Sequence, residues 1–244
     1  MKKSLIFLSV FTIIFSFSAC KVQKSGPEKI IYSNINDVKS TRMSFELLKG
    51  KSFNHPSYVI WMEDNCGKYY KTLFITKSYA SGIFGHQMVG DTVWLRTSGA
   101  SYQPAALPYW TFRKGLINGK TYIPEPANPY IDAYTGATPK SDFRFETGTE
   151  NSIDGYRILL EVNQAWDWNQ YWTNNKYPDN NAYKHSAQPS LVYEVTINDQ
   201  DNEFHLNPIG HGDPKGETGK LFTNLATLTS AKDIFSKIKI EIIK

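Results

Sequence analysis

The stretch with the most suggestive chemistry runs from Asp132 to Ser141 and reads Asp-Ala-Tyr-Thr-Gly-Ala-Thr-Pro-Lys-Ser. One acid precedes a run of small residues with a glycine and a proline, a composition typical of an exposed loop. Small neighbours would leave the Thr138 hydroxyl accessible to an enzyme that must close around the backbone to bring a phosphate onto it. The pattern predicts a modifiable threonine; the alternative is a glycine-containing turn that holds two strands apart.

Residues Asp132–Thr138 resemble the target motif of bacterial FMN transferases, which is an acid, two variable residues and then Ser/Thr-Gly-Ala-Thr. In proteins that carry this motif the last threonine bears FMN through a phosphoester, which implies FMN on Thr138. The resemblance implies an electron carrier that meets an FMN transferase and a redox partner, in which the flavin supplies the redox chemistry. Pro139 departs from the usual pattern, in which a further hydroxyl residue follows closely. Asp132 would orient the loop or the transferase's metal-bound FAD donor, and access would come from Thr135, Gly136 and Ala137.

Residues 1–20 have the pattern of a targeting segment. Lys2 and Lys3 precede the apolar run Leu5–Phe17, which is too short to span a membrane, and Ser-Ala-Cys20 follows. This ending resembles a bacterial lipoprotein signal and implies lipidation of Cys20; the alternative is an ordinary secretory signal cleaved near Ala19. Residues 21–31 are polar and predict a tether. Because no acidic pair follows Cys20, we expect a lipid anchor on the periplasmic side of the outer membrane.

Cysteine usage and charge exclude several classes of protein. Lipidation of Cys20 would leave Cys66 as the single other cysteine, so no internal disulfide could form. Cys66 lies in Asp-Asn-Cys-Gly, where we expect a turn with an exposed thiol. Removal of Lys2 and Lys3 with the targeting segment would reduce the 27 basic residues to 25, against 23 acidic ones, so the net charge is small. No basic run alternates with aromatic residues. Nucleic acid is therefore not an expected partner.

Short β-branched and aromatic runs predict an all-β fold. Tyr58–Met62 and Tyr69–Thr76 flank Asp-Asn-Cys-Gly67 and predict a hairpin, with apolar residues on both strand faces. Asn118-Gly119 predicts a second hairpin. Further strands are expected at residues 156–162, 190–197, 203–206 and 238–243, with a capped helical turn at residues 229–233. Residues 78–130 are rich in turn signals, and so long a segment of loops usually covers or forms a site.

Other site chemistry finds less support in the sequence. The five histidines have no short ligand spacing, which argues against zinc. The segment Gly210–Gly219 contains His211 and Asp213 but lacks both a nucleophile elbow and the Lys-Ser/Thr ending of a phosphate loop. The aromatic region Trp166–Trp172 could stack on sugar rings or a flavin, and it could equally be core. A non-enzymatic module that binds a carbohydrate or an envelope partner is therefore the alternative function.

Several segments carry a resemblance to a known family. They are Tyr58–Asp64 with Gly67–Phe74, Leu107–Trp110, Asp132–Pro139, Asp154–Tyr156 with Glu161–Asn163, Gln188–Tyr193, and Gly210–Gly212 with Gly219–Leu221. Together they resemble the bacterial domain-of-unknown-function family 2271 over about residues 55–243. That family is periplasmic or secreted, and some members have been likened to an immunoglobulin-type module. The resemblance implies one immunoglobulin-like β-sandwich domain with long loop insertions over residues 32–244. We expect a protein without catalytic turnover of its own.

Overall fold

The protein is an all-β sandwich. The computed structural model describes residues 28–31, 41–89, 93–117, 119–131, 133–136, 139, 141–149 and 152–243. In chain order the strands are β1 (Glu28–Ile31), β2 (Thr41–Lys49), β3 (Ser57–Glu63), β4 (Tyr69–Thr76), β5 (Ile83–Phe84), β6 (Gln87–Val89), β7 (Val93–Leu95), β8 (Gly99–Ala100), β9 (Leu116–Ile117), β10 (Lys120–Thr121), β11 (Tyr134–Gly136), β12 (Phe143–Thr149), β13 (Arg157–Asn163), β14 (Leu191–Thr196), β15 (Glu203–His205), β16 (Asn207–His211) and β17 (Phe235–Ile243). The helices are α1 (Lys77–Ser81), α2 (Pro108–Lys114) and α3 (Asn181–Ser186), with a 3-10 turn at Ser230–Asp233.

Two large sheets form the sandwich. The five-stranded sheet has the order β1-β12-β2-β17-β15, and the six-stranded sheet has the order β11-β4-β3-β13-β14-β16. Neighbouring strands are antiparallel except at one edge of each sheet, where β1 pairs in parallel with β12 and β11 pairs in parallel with β4. This arrangement confirms the predicted β-sandwich class, while the finer expectation of an immunoglobulin-like strand order stays a prediction.

The main core lies between the two sheets. In β2 the residues Met43, Phe45 and Leu47 alternate with more exposed positions and are buried, as the two-residue period of a strand requires. Across the sandwich the Phe74 ring of β4 lies 5.3 Å from the Phe143 ring and 5.4 Å from the Phe145 ring of β12, centroid to centroid. Each buried phenylalanine contributes about 1.5–3 kcal/mol. These aromatic contacts hold the sheets together.

A third layer covers the other face of the six-stranded sheet. Residues 77–130 carry α1, α2 and three small hairpins, and their buried Leu107 and Trp110 pack against the sheet residues Val59, Trp61 and Leu159. Strands β3 and β13 are consequently buried on both faces, with one half-buried residue each at the N-terminal end. The apolar residues on both faces of the Tyr58–Met62 run, noted in the sequence, are thereby explained.

Both predicted hairpins are present. Gly67 adopts φ +75° in the turn between β3 and β4, and Gly119 adopts the same φ between β9 and β10. Non-glycine residues rarely take this conformation, so the glycines fix the two turns. The expected strands in residues 156–162, 190–197, 203–206 and 238–243 are confirmed as β13, β14, β15 and β17.

The structure differs from the sequence prediction at several places. The last four residues of the expected tether form β1, and Gly210 and His211 of the segment Gly210–Gly219 belong to β16. Helix α3 was not predicted; the Asn180 side chain caps it by accepting from the Tyr183 backbone N–H. The turn at Ser230–Asp233 is helical, but Thr229 makes no side-chain cap. No helix within the described ranges is long and apolar enough to cross a membrane.

Candidate functional site: a pocket at one end of the six-stranded sheet

A pocket of about 760 Å³ opens at one end of the six-stranded sheet. It lies within the usual size range of small-molecule sites. Its walls come from the ends of sheet strands, from α1, from the small β5–β8 hairpin and from the segment that follows β13. Its lining is Asn54, His55, Ser57, Lys77, Ser78, Ser81, Ile83, Phe84, Gly85, His86, Gln103, Asn163, Ala165, Trp166 and His185.

Strand register brings the pocket floor together. Ser57 begins β3 and stands opposite Asn163, the last residue of β13. Strand β4 runs towards the same end and finishes at Thr76, directly before Lys77 of α1. The Thr76 hydroxyl accepts from the backbone N–H of Tyr58 at 3.3 Å, which ties the ends of β3 and β4. Three neighbouring strands therefore deliver polar residues to one place.

Trp166 and His86 form an aromatic wall. Their ring centroids lie 5.1 Å apart, with an interplanar angle of 76°. The Trp166 side chain remains 39% exposed, and its backbone N–H donates to the His185 carbonyl at 2.8 Å. A partly exposed indole whose backbone is fixed in this way offers a flat apolar face to a ring-shaped ligand.

Backbone strain concentrates around this pocket. Among the residues that the structure describes, three that are not glycine have positive φ: His55 at 52°, Trp166 at 59° and Ala187 at 59°. His55 and Trp166 line the pocket, and Ala187 follows two residues after His185. Such conformations cost about 1–3 kcal/mol each and tend to mark functional sites.

The polar groups of the pocket are positioned by hydrogen bonds. The buried Asn163 amide donates to the Gln188 carbonyl at 2.9 Å and accepts from the Ser186 hydroxyl at 3.1 Å. The Ser81 hydroxyl donates to the Lys77 carbonyl at 2.8 Å. Burial lowers the pKa of His185 to about 4, so its imidazole is neutral at physiological pH. The site is thus built largely from neutral donors and acceptors.

The FMN-motif residues that the structure describes lie at the edge of this same sheet. Thr135 stands beside Ile75 and Gly136 beside Thr76 in the parallel pair of β11 and β4. Thr135 is half-buried and Gly136 is buried, so this part of the motif is an edge strand instead of an open loop. The sites predicted at Asp132, Ala137 and Thr138, and the lipidation site at Cys20, lie outside the described residues.

A buried carboxylate, Glu161 on β13, anchors the outer layer. It accepts from the Tyr109 N–H at 3.1 Å, the Trp110 N–H at 2.7 Å and the Ser190 hydroxyl at 2.5 Å. It thereby caps the first turn of α2, for which Leu107 supplies no side-chain cap. Burial raises the pKa of Glu161 from 4.5 to about 7 despite these donors. Its role is structural.

Glu63 forms a second buried anchor. Its carboxylate is fully buried and accepts from Arg113 at 2.9 and 2.8 Å, and from Arg157 at 3.0 Å. The Trp61 indole N–H also donates to it, at 3.1 Å. Glu63 is therefore committed to the two arginines and is not a candidate for acid–base chemistry.

Other candidates from the sequence receive simple structural roles. Cys66 is exposed, as expected for its turn. No group of three or more His, Cys, Asp or Glu side chains in the described ranges could hold a metal ion. Gly212 permits a close approach, because a Cβ there would meet the Ser190 hydroxyl at 2.5 Å and the Glu161 carboxylate at 3.0 Å. The glycines of this segment thus serve packing.

The fold and the pocket define a two-sheet β-sandwich with an outer layer and a polar, aromatic-walled cavity. No family model, curated protein or solved structure matches the chain. Residues 78–130 were expected to cover or form a site, and they supply much of the lining, while the aromatic region contributes Trp166. His55, His86 and His185 line the same cavity, and their spacing in the sequence does not indicate this.

Proposed function

We propose that this protein is a non-catalytic binding module whose pocket holds a small carbohydrate. The observation that carries this function is the pairing of the partly exposed Trp166 ring with a floor of positioned amide and hydroxyl groups. Sugars present apolar faces that stack on aromatic rings and hydroxyl groups that need paired donors and acceptors. Ser57, Gln103 and the side-chain carbonyl oxygen of Asn163 suit these hydroxyls, since both amide hydrogens of Asn163 already bond to backbone carbonyls.

Backbone strain supports the same function. A ligand site gains affinity when its groups are already held in the bound arrangement, because less freedom is then lost on binding. The positive φ of Trp166 and the hydrogen bond of its N–H to the His185 carbonyl fix this residue before any ligand arrives. Because His185 is neutral, this part of the pocket carries no cost of burying a charge.

Ligand titration of paired tryptophan variants tests this function. Candidate oligosaccharides are titrated into the mature chain by isothermal calorimetry, and tryptophan fluorescence is recorded in parallel. We expect Trp166→Ala to weaken binding by about 5- to 30-fold, the loss of roughly 1–2 kcal/mol of stacking. Trp168→Ala is the matched control, since Trp168 is 42% exposed and lies outside the pocket lining. Equal affinities of the two variants would contradict the proposed site.

A second candidate function is covalent FMN carriage on Thr138, and one observation favours it. Strand β11 runs parallel to β4 and reaches Gly136 beside Thr76, at the end of the sheet where the pocket opens. The motif therefore approaches a cavity of about 760 Å³ with an aromatic wall, which suits a flat ring system. A flavin bound in this way would supply electron transfer, while Trp166, His86 and the polar lining would orient its ring and limit access of water.

Co-expression with an FMN transferase tests this second function. We expect an FMN-sized increase in intact mass and in-gel flavin fluorescence for the wild-type chain and for Thr135→Ala, which removes the neighbouring hydroxyl. Thr138→Ala should show neither. An unmodified wild-type chain beside an active transferase and a modified reference substrate would refute the assignment of Thr138.

We also propose that the module is held by lipid on Cys20 at the periplasmic side of the outer membrane. The support is the sequence pattern of residues 1–20 described above. Metabolic labelling with an alkyne fatty acid should mark the wild-type protein and leave Cys20→Ser unmarked. Equal labelling of both proteins would refute lipidation at Cys20.

A further inference from the structure

The pocket has an asymmetric distribution of charge. Its lining contains one lysine and three histidines, and within the described residues it contains no aspartate or glutamate. A lining with a cation and without anions attracts negative charge and disfavours cationic ligands.

Lys77 is the permanent cation of this lining. It begins α1 directly after β4, its side chain is exposed, and among the described residues no carboxylate forms an ion pair with it. By contrast, Lys215 and Lys239 elsewhere in the chain pair with glutamates. The Lys77 ammonium is therefore available to a ligand without the breaking of an internal ion pair.

We infer that the ligand of this pocket is an acidic sugar, whose ring stacks on Trp166 while its carboxylate meets Lys77. This inference rests on the proposed carbohydrate function and specifies its substrate class. The neutral floor formed by Asn163 and Ser57 supplies partners for the sugar hydroxyls, and Lys77 at the rim supplies the counter-charge. A carboxylate and an ammonium at a partly exposed site attract each other weakly, so the charge gives selectivity more than affinity.

A matched pair of sugars separates this inference from the function on which it rests. The probes are a trimer of galacturonic acid and the neutral trimer of galactose with the same linkage, titrated by calorimetry at low and at high salt. We expect the wild-type chain to bind the acidic trimer about two- to five-fold more tightly at low salt. The difference should shrink at high salt, because salt screens an exposed ion pair.

Lysine variants locate the effect. Lys77→Gln should bring the ratio of acidic-trimer to neutral-trimer affinity to about one, whereas Lys77→Arg should retain the wild-type ratio. The control is Lys68→Gln, which removes the same charge from an exposed residue in the turn at the other end of β4, about 30 Å away along the strand. We expect Lys68→Gln to bind both trimers like the wild type.

The outcomes are distinct. Equal or tighter binding of the neutral trimer, or the same behaviour of Lys77→Gln and Lys68→Gln, would overturn the acidic-sugar inference and leave the carbohydrate function standing. Failure of both trimers to bind the folded wild-type chain would overturn both. Tighter binding of the acidic trimer that depends on Lys77 and on salt would support both.

Discussion

The buried carboxylate of Glu161 predicts a specific pH dependence of folding stability. Its pKa is raised from 4.5 to about 7 in the folded protein, because burial disfavours the charged form. Between these two values the folded state binds a proton that the unfolded state has lost. Stability should therefore be fully retained below about pH 4.5 and fall as the pH rises towards 7.

The magnitude follows from the two pKa values. One pKa unit corresponds to about 1.4 kcal/mol, so the difference between 4.5 and about 7 corresponds to roughly 3 kcal/mol of unfolding free energy. The useful quantity is the difference between wild type and Glu161→Gln, because the other titrating groups are common to both proteins and glutamine does not titrate. That difference should change by roughly 2–2.5 kcal/mol between pH 5 and pH 7.5, since part of the effect is already lost at pH 5.

Urea unfolding at half-unit pH steps, followed by tryptophan fluorescence and circular dichroism, measures this difference. Ser190→Ala provides a second check. The Ser190 hydroxyl donates to Glu161 and holds its pKa down, so its removal should extend the fall in stability to higher pH. Parallel stability profiles of wild type and Glu161→Gln across pH 5–7.5 would refute the assignment of a protonatable anchor at this position.

Three further predictions concern stability and exposure. Glu63→Ala should lower the unfolding free energy by about 2–4 kcal/mol, because Arg113 and Arg157 lose their buried partner but keep some access to water. Glu217→Ala on the surface is the control. Equal urea midpoints of the two variants would contradict a structural role of Glu63. Gly212→Ala should cost about 1–3 kcal/mol, since its Cβ would overlap the Ser190 hydroxyl. Gly85→Ala is the control, because a Cβ at Gly85 meets nothing within 4 Å, and it should change the unfolding free energy by less than about 0.5 kcal/mol. Equal losses of unfolding free energy in the two variants would refute the packing argument. Cys66 should react with a thiol reagent in the folded protein without denaturant; reaction of this residue only after unfolding would contradict its exposure.

Much of the fold could be predicted from the sequence where local signals agree with tertiary context. The hairpin of β3 and β4 has strongly apolar runs and a glycine at the turn, and both signals were sufficient. Strands β2 and β12 were not predicted, although Met43, Phe45 and Leu47 alternate with polar residues as a half-buried strand requires. This alternation is present in the sequence and is sufficient to predict a strand there.

The pocket is a different case, because its formation depends on tertiary contacts. His55 and His185 lie 130 positions apart and meet only because β3 and β13 pair at their ends. The anchor role of Glu161 had one signal in the sequence, a single acid inside the apolar run Ile158–Val162. A charged residue in a strand buried on both faces needs donors, and their identity as the backbone N–H groups of Tyr109 and Trp110 requires the fold.

The position of β17 within its sheet constrains when the protein can fold. This strand comes from the C-terminal end of the sequence, yet it lies between β2 and β15, with Ile242 opposite Met43, about 200 residues earlier. Until it has left the ribosome, β2 has one unpaired edge and the five-stranded sheet is incomplete. Pairing at such separation makes folding slow, so we expect the five-stranded sheet to be completed late in folding. We expect deletion of β17 to prevent formation of the whole sandwich, because β17 is an inner strand of its sheet and not an edge strand.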